Sequence, residues 1–154
     1  MMNKEIRENY IFKGFGFPVV LPFAIFKENN RGTKYLDMNM EEIKNKVAYG
    51  IITYPYAYTG AMLNFIRNYL DFSTIQMAKL LSVVQQTITN WEKKKKNESL
   101  NFSDEQRSHL ILKLRQYFFN KQEVEIHELI LNSKKFKNDL SVEPIVISEF
   151  YKLG

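Results

Sequence analysis

The sequence predicts an α+β protein that is mostly helical. Apolar residues recur with the period of an α-helix from Thr59 onward, whereas the chain before Thr59 is rich in aromatic and β-branched residues separated by glycine and proline. The length of 154 residues suits one domain or one and a half, and the shares of hydrophobic residues (45%) and charged residues (25%) are typical of a soluble globular protein. The absence of cysteine excludes disulfides, a thiol nucleophile and a cysteine-ligated zinc site.

Residues 1–58 are predicted to form a β-rich N-terminal module with one helix. Strands are expected over 10–13, 17–26 and 33–36, with a turn over 29–32, which reads Asn-Asn-Arg-Gly. The aromatic-rich segment 10–26 has two interpretations, since it could dock a partner protein or form the core of a small sheet. We favour the sheet core.

The single helix of this module has a clear start signal. Asn39 is a suitable N-cap, and Glu41 and Glu42 stand in the first turn, where the helix dipole favours negative charge. We expect the helix to end near 47–48. The sequence Tyr-Pro-Tyr at 54–56 predicts a break before the next element, because a residue that precedes proline avoids the helical conformation.

Residues 59–97 are predicted to contain three short helices in succession. The apolar positions expected to face inward are Met62, Ile66, Tyr69 and Leu70 in the first helix, Ile75, Ala78 and Leu81 in the second, and Val84, Ile88 and Trp91 in the third. A tight turn near Ser82 and Val83 joins the second and third helices, and Ala78 is small where the two should cross. This is the pattern of a helix-turn-helix, whose second helix enters the DNA major groove.

The segment from Gly60 to Lys93, about a fifth to a quarter of the chain, resembles the Xre family of lambda-repressor-like helix-turn-helix regulators. The matching residues are Phe65-Ile66-Arg67, Ala78-Lys79-Leu80-Leu81, Gln86-Thr87-Ile88 and Trp91-Glu92. The resemblance implies a lambda-repressor-like core and a bridge between Arg67 and Glu92. Two positions depart from the family, which often has glycine at Ser82 and a Ser or Thr cap at Val84.

Base-contacting candidates lie on the outward face of the third helix, at about 84–92. They are Gln85, Gln86, Thr89 and Asn90. Glutamine and asparagine both donate and accept hydrogen bonds, which matches the N6/N7 edge of adenine. The resemblance implies base contact at the positions of Gln85, Gln86 and Asn90. The alternative is an ordinary solvated helix face.

Phosphate-contacting candidates flank this helix. Thr74 and Gln76 begin the second helix, where backbone N–H groups favour an anion, although a simple capping turn is an equal alternative. Lys93, Lys94 and Lys95 follow the third helix in a run that ends at Lys96, and cations also favour a helix C-terminus without any DNA. The formal net charge of +5 fits a polyanionic partner.

Residues 98–154 are predicted to form C-terminal helices and a final strand, with a possible role in dimerisation. A helix should begin at Ser103, a second should cover 124–131, and the strand should lie within 140–150. The long helix carries an apolar stripe made of Leu110, Leu114, Tyr117 and Phe118. This stripe could be a dimer seam or could pack inside the monomer, and the sequence leaves both open.

No motif supports catalysis, a metal or a cofactor. His109 and His127 lack a ligand spacing, and Gly14 and Gly16 are not followed by the remainder of a dinucleotide-binding loop. No apolar run reaches the ~18 residues needed to span a bilayer, and the first residues do not form a signal peptide. We therefore expect a cytoplasmic protein that is not an enzyme and does not enter a membrane.

The expected function is that of a sequence-specific DNA-binding transcriptional regulator, a repressor that binds double-stranded DNA as a homodimer. Dimerisation is expected because one short recognition helix reads only a half-site. A second hypothesis is an antitoxin-like protein that neutralises a toxin and regulates its own operon. A third is a helix-turn-helix that serves only in oligomerisation.

Overall fold

The computed structural model describes residues 4–122 and 144–146 and has an α+β fold in which helices make up about half of the described residues. Four strands and five helices follow one another along these residues. They are β1 (Lys4–Phe12), β2 (Val19–Glu28), β3 (Lys34–Leu36), α1 (Met40–Ile52), α2 (Gly60–Tyr69), α3 (Thr74–Leu81), α4 (Gln85–Lys93), α5 (Asp104–Gln122) and β4 (Ile145–Val146). The predicted helix at 124–131 and most of the predicted strand at 140–150 lie outside the described residues.

The sheet is built around β2. Strand β1 pairs antiparallel with β2, with Lys4 opposite Lys27 and Phe12 opposite Val19. On the other side, β3 pairs antiparallel with the end of β2, while β4 pairs parallel with its start, setting Ile145 opposite Val19. Strand β1 begins six residues before the predicted Tyr10, because its mixed-charge start forms an exposed strand that hydrophobic patterning does not detect.

The side of the hairpin that faces the core changes midway along the strands. Val19 and Leu21 are buried at the start of β2, but the buried positions further on are Ala24 and Phe26, so the alternation shifts by one residue between them. The shift lies opposite Asn9, which has a left-handed φ of 50°. Asparagine tolerates this conformation better than most residues, and the local kink keeps both halves of the hairpin packed on the helices.

Helix α1 continues to Ile52, so the prediction that it ends near 47–48 is wrong. Asn39 caps it as expected, and its side chain accepts a hydrogen bond from the Glu42 backbone N–H at 3.1 Å. Ile51 and Ile52 are fully buried in the additional turn. Burial on the helical period therefore extends the helix through residues of modest helix propensity.

Two residues predicted to face inward are on the surface instead. Ile75 is 51% exposed and Val84 is 68% exposed. In α3 the buried residue is Met77, which together with Ala78 and Leu81 packs into the core. The buried face of α3 is therefore rotated relative to the predicted one. In α4, Ile88 is buried as expected.

The apolar stripe of α5 packs inside the chain. Leu110, Leu114 and Phe118 are fully buried, and Tyr117 packs edge-on against Tyr69 of α2 with ring centroids 5.2 Å apart. The helix begins at Asp104 after a capping box, in which Ser103 and Gln106 exchange hydrogen bonds between side chain and backbone. Since the stripe is already covered, it offers no seam for a second copy.

A buried arginine joins α5 to the segment before α2. Arg107 Nη1 donates a hydrogen bond to the carbonyl oxygen of Tyr56 at 2.8 Å, and Nη2 donates to that of Tyr54. Its guanidinium lies over the ring of Tyr58, 4.1 Å from the centroid. Burial raises the pKa of Tyr58 to about 12 and lowers the pKa of Arg107. These contacts hold the predicted break at 54–56 against α5.

Helix α2 begins in close contact with the end of α4. The backbone N–H of Gly60 donates to the carbonyl oxygen of Lys95 at 3.1 Å, and that of Ala61 donates to Lys96 at 2.9 Å. A Cβ at Gly60 would collide with the carbonyl oxygens of Trp91 and Lys95. Only glycine permits this approach. The carbonyl groups that follow α4 thereby accept hydrogen bonds from two backbone N–H groups at the start of α2, which have no partner within their own helix.

Gly60→Ala is therefore expected to destabilise the protein by about 1–3 kcal/mol, because backbone atoms must move to admit the methyl group. Helix propensity alone predicts a change of up to ~1 kcal/mol in the opposite direction. Urea denaturation followed by circular dichroism measures the difference. Gln116→Ala, at an exposed position of α5, is the control and should shift stability by no more than about 0.5 kcal/mol. A Gly60→Ala variant at least as stable as the parent would contradict the steric argument.

Candidate nucleic-acid interface

Helices α3 and α4 follow one another across a short turn with a left-handed residue, and α3 has a capped start. Ser73 Oγ accepts from the Gln76 backbone N–H at 3.1 Å, and Gln76 Oε1 accepts from the Ser73 backbone N–H at 2.8 Å, which completes a capping box. At the turn, Ser82 adopts φ 56° and ψ 44°, and the N–H of Val83 donates to the carbonyl oxygen of Ala78 at 3.0 Å. Serine thus fills the left-handed position that glycine usually takes.

The ion pair implied between Arg67 and Glu92 is formed and links α2 to α4. Arg67 Nε and Nη2 donate to the two carboxylate oxygens at 2.8 and 2.9 Å. Asn64 Nδ2 adds a third hydrogen bond to Glu92 at 2.6 Å, and Arg67 Nη1 donates to the carbonyl oxygen of Phe72 at 3.0 Å. Because the carboxylate holds the guanidinium by hydrogen bonds, the pKa of Arg67 is raised. The bidentate geometry fixes the orientation of α4 as well as its position.

The inner face of α4 is anchored by few residues, and the rest of the helix is polar. Ile88 is fully buried, and Trp91 packs edge-on against Phe102 with ring centroids 5.3 Å apart. Of the base-contacting candidates, Gln85 and Gln86 are exposed, whereas Thr89 and Asn90 are half-buried. The face predicted from the helical period therefore points away from the core, most completely at the start of the helix.

The structure brings four of the predicted site residues together as two hydrogen-bonded pairs. Gln85 Nε2 donates to Thr74 Oγ1 at 2.8 Å, so a base-contacting candidate and a phosphate-contacting candidate lie side by side. Gln86 Nε2 donates to Asn90 Oδ1 at 3.2 Å, one turn further along α4. These bonds restrain flexible side chains in the absence of DNA, which lowers the entropy that binding would cost.

The remaining phosphate-contacting candidates have different surroundings. Lys93, Lys94 and Lys95 are all exposed at the end of α4. Gln76 is exposed too, and its amide oxygen is bound in the capping box, while its Nε2 group is the donor that could reach a phosphate. The capping interpretation of this segment is therefore confirmed for Gln76, and phosphate contact stays a prediction.

Two positioning residues escaped the sequence analysis. Asn64 lies one turn before Arg67 on α2, and that spacing is a signal that could have identified it as a second ligand of Glu92. Gln106 Nε2 donates to the carbonyl oxygen of Leu81 at 3.0 Å and so satisfies a terminal carbonyl of α3 from α5. This contact joins distant parts of the chain, so no local sequence pattern predicts it.

Comparison with family models, curated proteins and solved structures finds no match to this chain. Within residues 4–122 and 144–146, no helix has the length and apolar character required to cross a membrane. Across the same residues, no group of three His, Asp or Glu side chains is arranged to hold a metal ion.

Val84→Thr is expected to stabilise the protein by ~1 kcal/mol. Val84 occupies the N-cap of α4 in an extended conformation and makes no side-chain capping bond, and threonine has the same shape with an oxygen that can accept one. Urea denaturation measures the gain. Val84→Ala, which offers no acceptor, is the matched control, and equal stability of the two variants would count against the capping argument.

Proposed function

We propose that this protein is a sequence-specific DNA-binding transcriptional regulator, a cytoplasmic repressor that inserts α4 into the major groove and acts as a dimer. The observation that carries the proposal is the exposed polar start of α4, oriented from behind by the pair of Arg67 and Glu92. A helix held in this way can present Gln85 and Gln86 to base edges without reorganising. Its role is binding, and no catalytic step is assigned to it.

The charge distribution around α4 supports the same function. Lys93, Lys94 and Lys95 provide three exposed cations at one end of the helix, while the side chain of Glu92 is 8% exposed and its carboxylate is paired with Arg67. The face offered to DNA is therefore positive and polar. Contacts from lysine to phosphate give affinity and register, and glutamine contacts to bases give sequence preference.

The direct test is to select binding sites from a randomised duplex library with the full chain. Fluorescence anisotropy then compares the selected duplex with a scrambled duplex at two salt concentrations. The proposal expects a preference of ~10³-fold or more and weaker binding at higher salt. Equal affinity for both duplexes, or no binding at low salt, would refute it.

Gln86→Ala is expected to weaken binding to the selected duplex by roughly 5–150-fold, the equivalent of ~1–3 kcal/mol, and to leave the scrambled duplex unaffected. The reason is that only the selected site offers a base edge matched to the amide. Anisotropy titrations of both duplexes supply the measurement. Gln116→Ala, an exposed glutamine on α5, is the matched control. Equal losses on both duplexes would remove Gln86 from base recognition.

Neutralising Lys94 and Lys95 together, as Lys94→Gln/Lys95→Gln, is expected to reduce the slope of log affinity against log salt by about 1.8, since each phosphate contact contributes ~0.9. The slope is obtained from anisotropy at four or more salt concentrations. The control is Arg31→Gln/Lys113→Gln, which removes the same charge at two exposed positions outside α3 and α4. An unchanged slope in the Lys94→Gln/Lys95→Gln variant would show that these lysines are exposed to solvent and do not contact phosphates.

A further inference from the structure

Strand β1 forms an edge of the sheet in the part of the chain that the structure describes. It pairs with β2 along one side, and no described residue pairs with its other side. Its first five residues, Lys4 to Glu8, are exposed except for the half-buried Arg7. An open edge of this kind offers unpaired backbone N–H and C=O groups to another strand.

The charges of this segment are self-complementary. Lys-Glu-Ile-Arg-Glu at 4–8 reverses sign about Ile6, so antiparallel pairing of two copies with Ile6 opposite Ile6 sets Lys4 against Glu8 and Glu5 against Arg7. Charges on edge strands ordinarily repel a second strand, but here the signs attract.

The same charges also select one register. A shift by one residue in one direction sets Lys4 against Arg7, and a shift in the other direction sets Glu5 against Glu8. Both shifted registers place like charges opposite each other, which is destabilising. The alignment about Ile6 is therefore specified by the sequence itself.

The apolar side chains fit this alignment as well. Ile6 is 58% exposed and lies opposite Ile25 of its own hairpin. Pairing two copies about Ile6 creates a row of four isoleucines across both hairpins, two from each copy. Phe23, which is 49% exposed and lies opposite Glu8, borders this row. Contact between neighbouring isoleucines thus removes from water part of the apolar surface that is exposed in one copy.

We propose that two copies of this chain associate through β1, paired antiparallel over residues 4–8, so that one sheet runs through both copies. Within one copy, Glu5 accepts hydrogen bonds from Arg7 at 3.3 Å and from Lys34 at 3.2 Å, and pairing adds the second copy's Arg7 to this group. The association does not depend on DNA binding. It provides the two recognition helices that the proposed regulator requires, and it is tested without DNA.

The test is sedimentation of the full chain over a concentration series up to about 1 mM, where dimers as weak as millimolar Kd are visible. The parent should form dimers. Lys4→Glu/Arg7→Glu and Glu5→Lys/Glu8→Lys each make the strand carry one sign of charge, so each variant alone should dimerise at least tenfold more weakly, from ~1.4 kcal/mol of lost attraction. An equimolar mixture of the two variants should regain dimers, because opposite signs then face each other.

Three further variants separate loss of dimerisation from any effect of these changes on the hairpin. Ile6→Lys sets two like charges against each other at the symmetry axis and should also abolish dimers, whereas Ile11→Lys, on the same strand beyond Asn9, should not. Arg31→Glu/Lys113→Glu, with the same change of net charge at two exposed positions outside β1, should dimerise like the parent. Circular dichroism confirms that each variant is folded.

A parent that stays monomeric at about 1 mM would overturn the proposal, since the charges of β1 would then serve only to protect the edge. Dimers that persist in both charge variants, or a mixture that remains monomeric, would overturn it too. Loss of DNA binding with dimerisation intact would refute the proposed function and leave this interface standing.

Discussion

The ion pair between Arg67 and Glu92 is the contact on which the geometry of the helical region depends. Helix α4 has a single fully buried side chain, Ile88, so apolar packing alone does not fix its rotation. The two-pronged bond to Arg67, with Asn64 as a third donor, supplies the missing constraint. Desolvation offsets much of the attraction between such charges, and the pair therefore contributes more to orientation than to net stability.

The other elements support this arrangement from behind. Gly60 lets the start of α2 reach the end of α4, Gln106 ties α5 to the end of α3, and Arg107 holds the segment before α2. The N-terminal hairpin packs aromatic residues on the same helices, with Phe15 and Phe65 rings 4.9 Å apart. One cluster of buried residues includes positions from the sheet, α1 and all four later helices.

The sequence predicted best those features that arise from neighbouring residues. The starts of α1, α3 and α5 follow from capping residues close in the chain, and the α+β composition follows from the change of period at Thr59. The phase of α3 was missed because eight residues contain too few apolar positions to choose between Ile75 and Met77. The start of β1 was missed because an edge strand with charges on both faces has no hydrophobic alternation.

The candidate nucleic-acid interface could also be predicted only where it depends on residues close together in the chain. The outward positions of Gln85 and Gln86 follow from the helical period around Ile88, but their partners Thr74 and Asn90 depend on side-chain conformation. Arg107, Gln106 and the close approach at Gly60 join residues far apart in the chain, so no local pattern contains them. Their prediction requires the tertiary structure, because the packing of distant elements creates the site they occupy.

The parallel pairing of β4 with β2 has a consequence for the order in which the molecule is assembled. Ile145 lies opposite Val19 and packs against Gly50, so a residue that is synthesised long after β2 and α1 completes the surface that they form. Until it emerges from the ribosome, the start of β2 and one face of α1 lack part of their apolar cover. Contacts between chain segments this distant form slowly. During synthesis, therefore, the start of β2 passes through an interval in which its unpaired edge can associate with other chains.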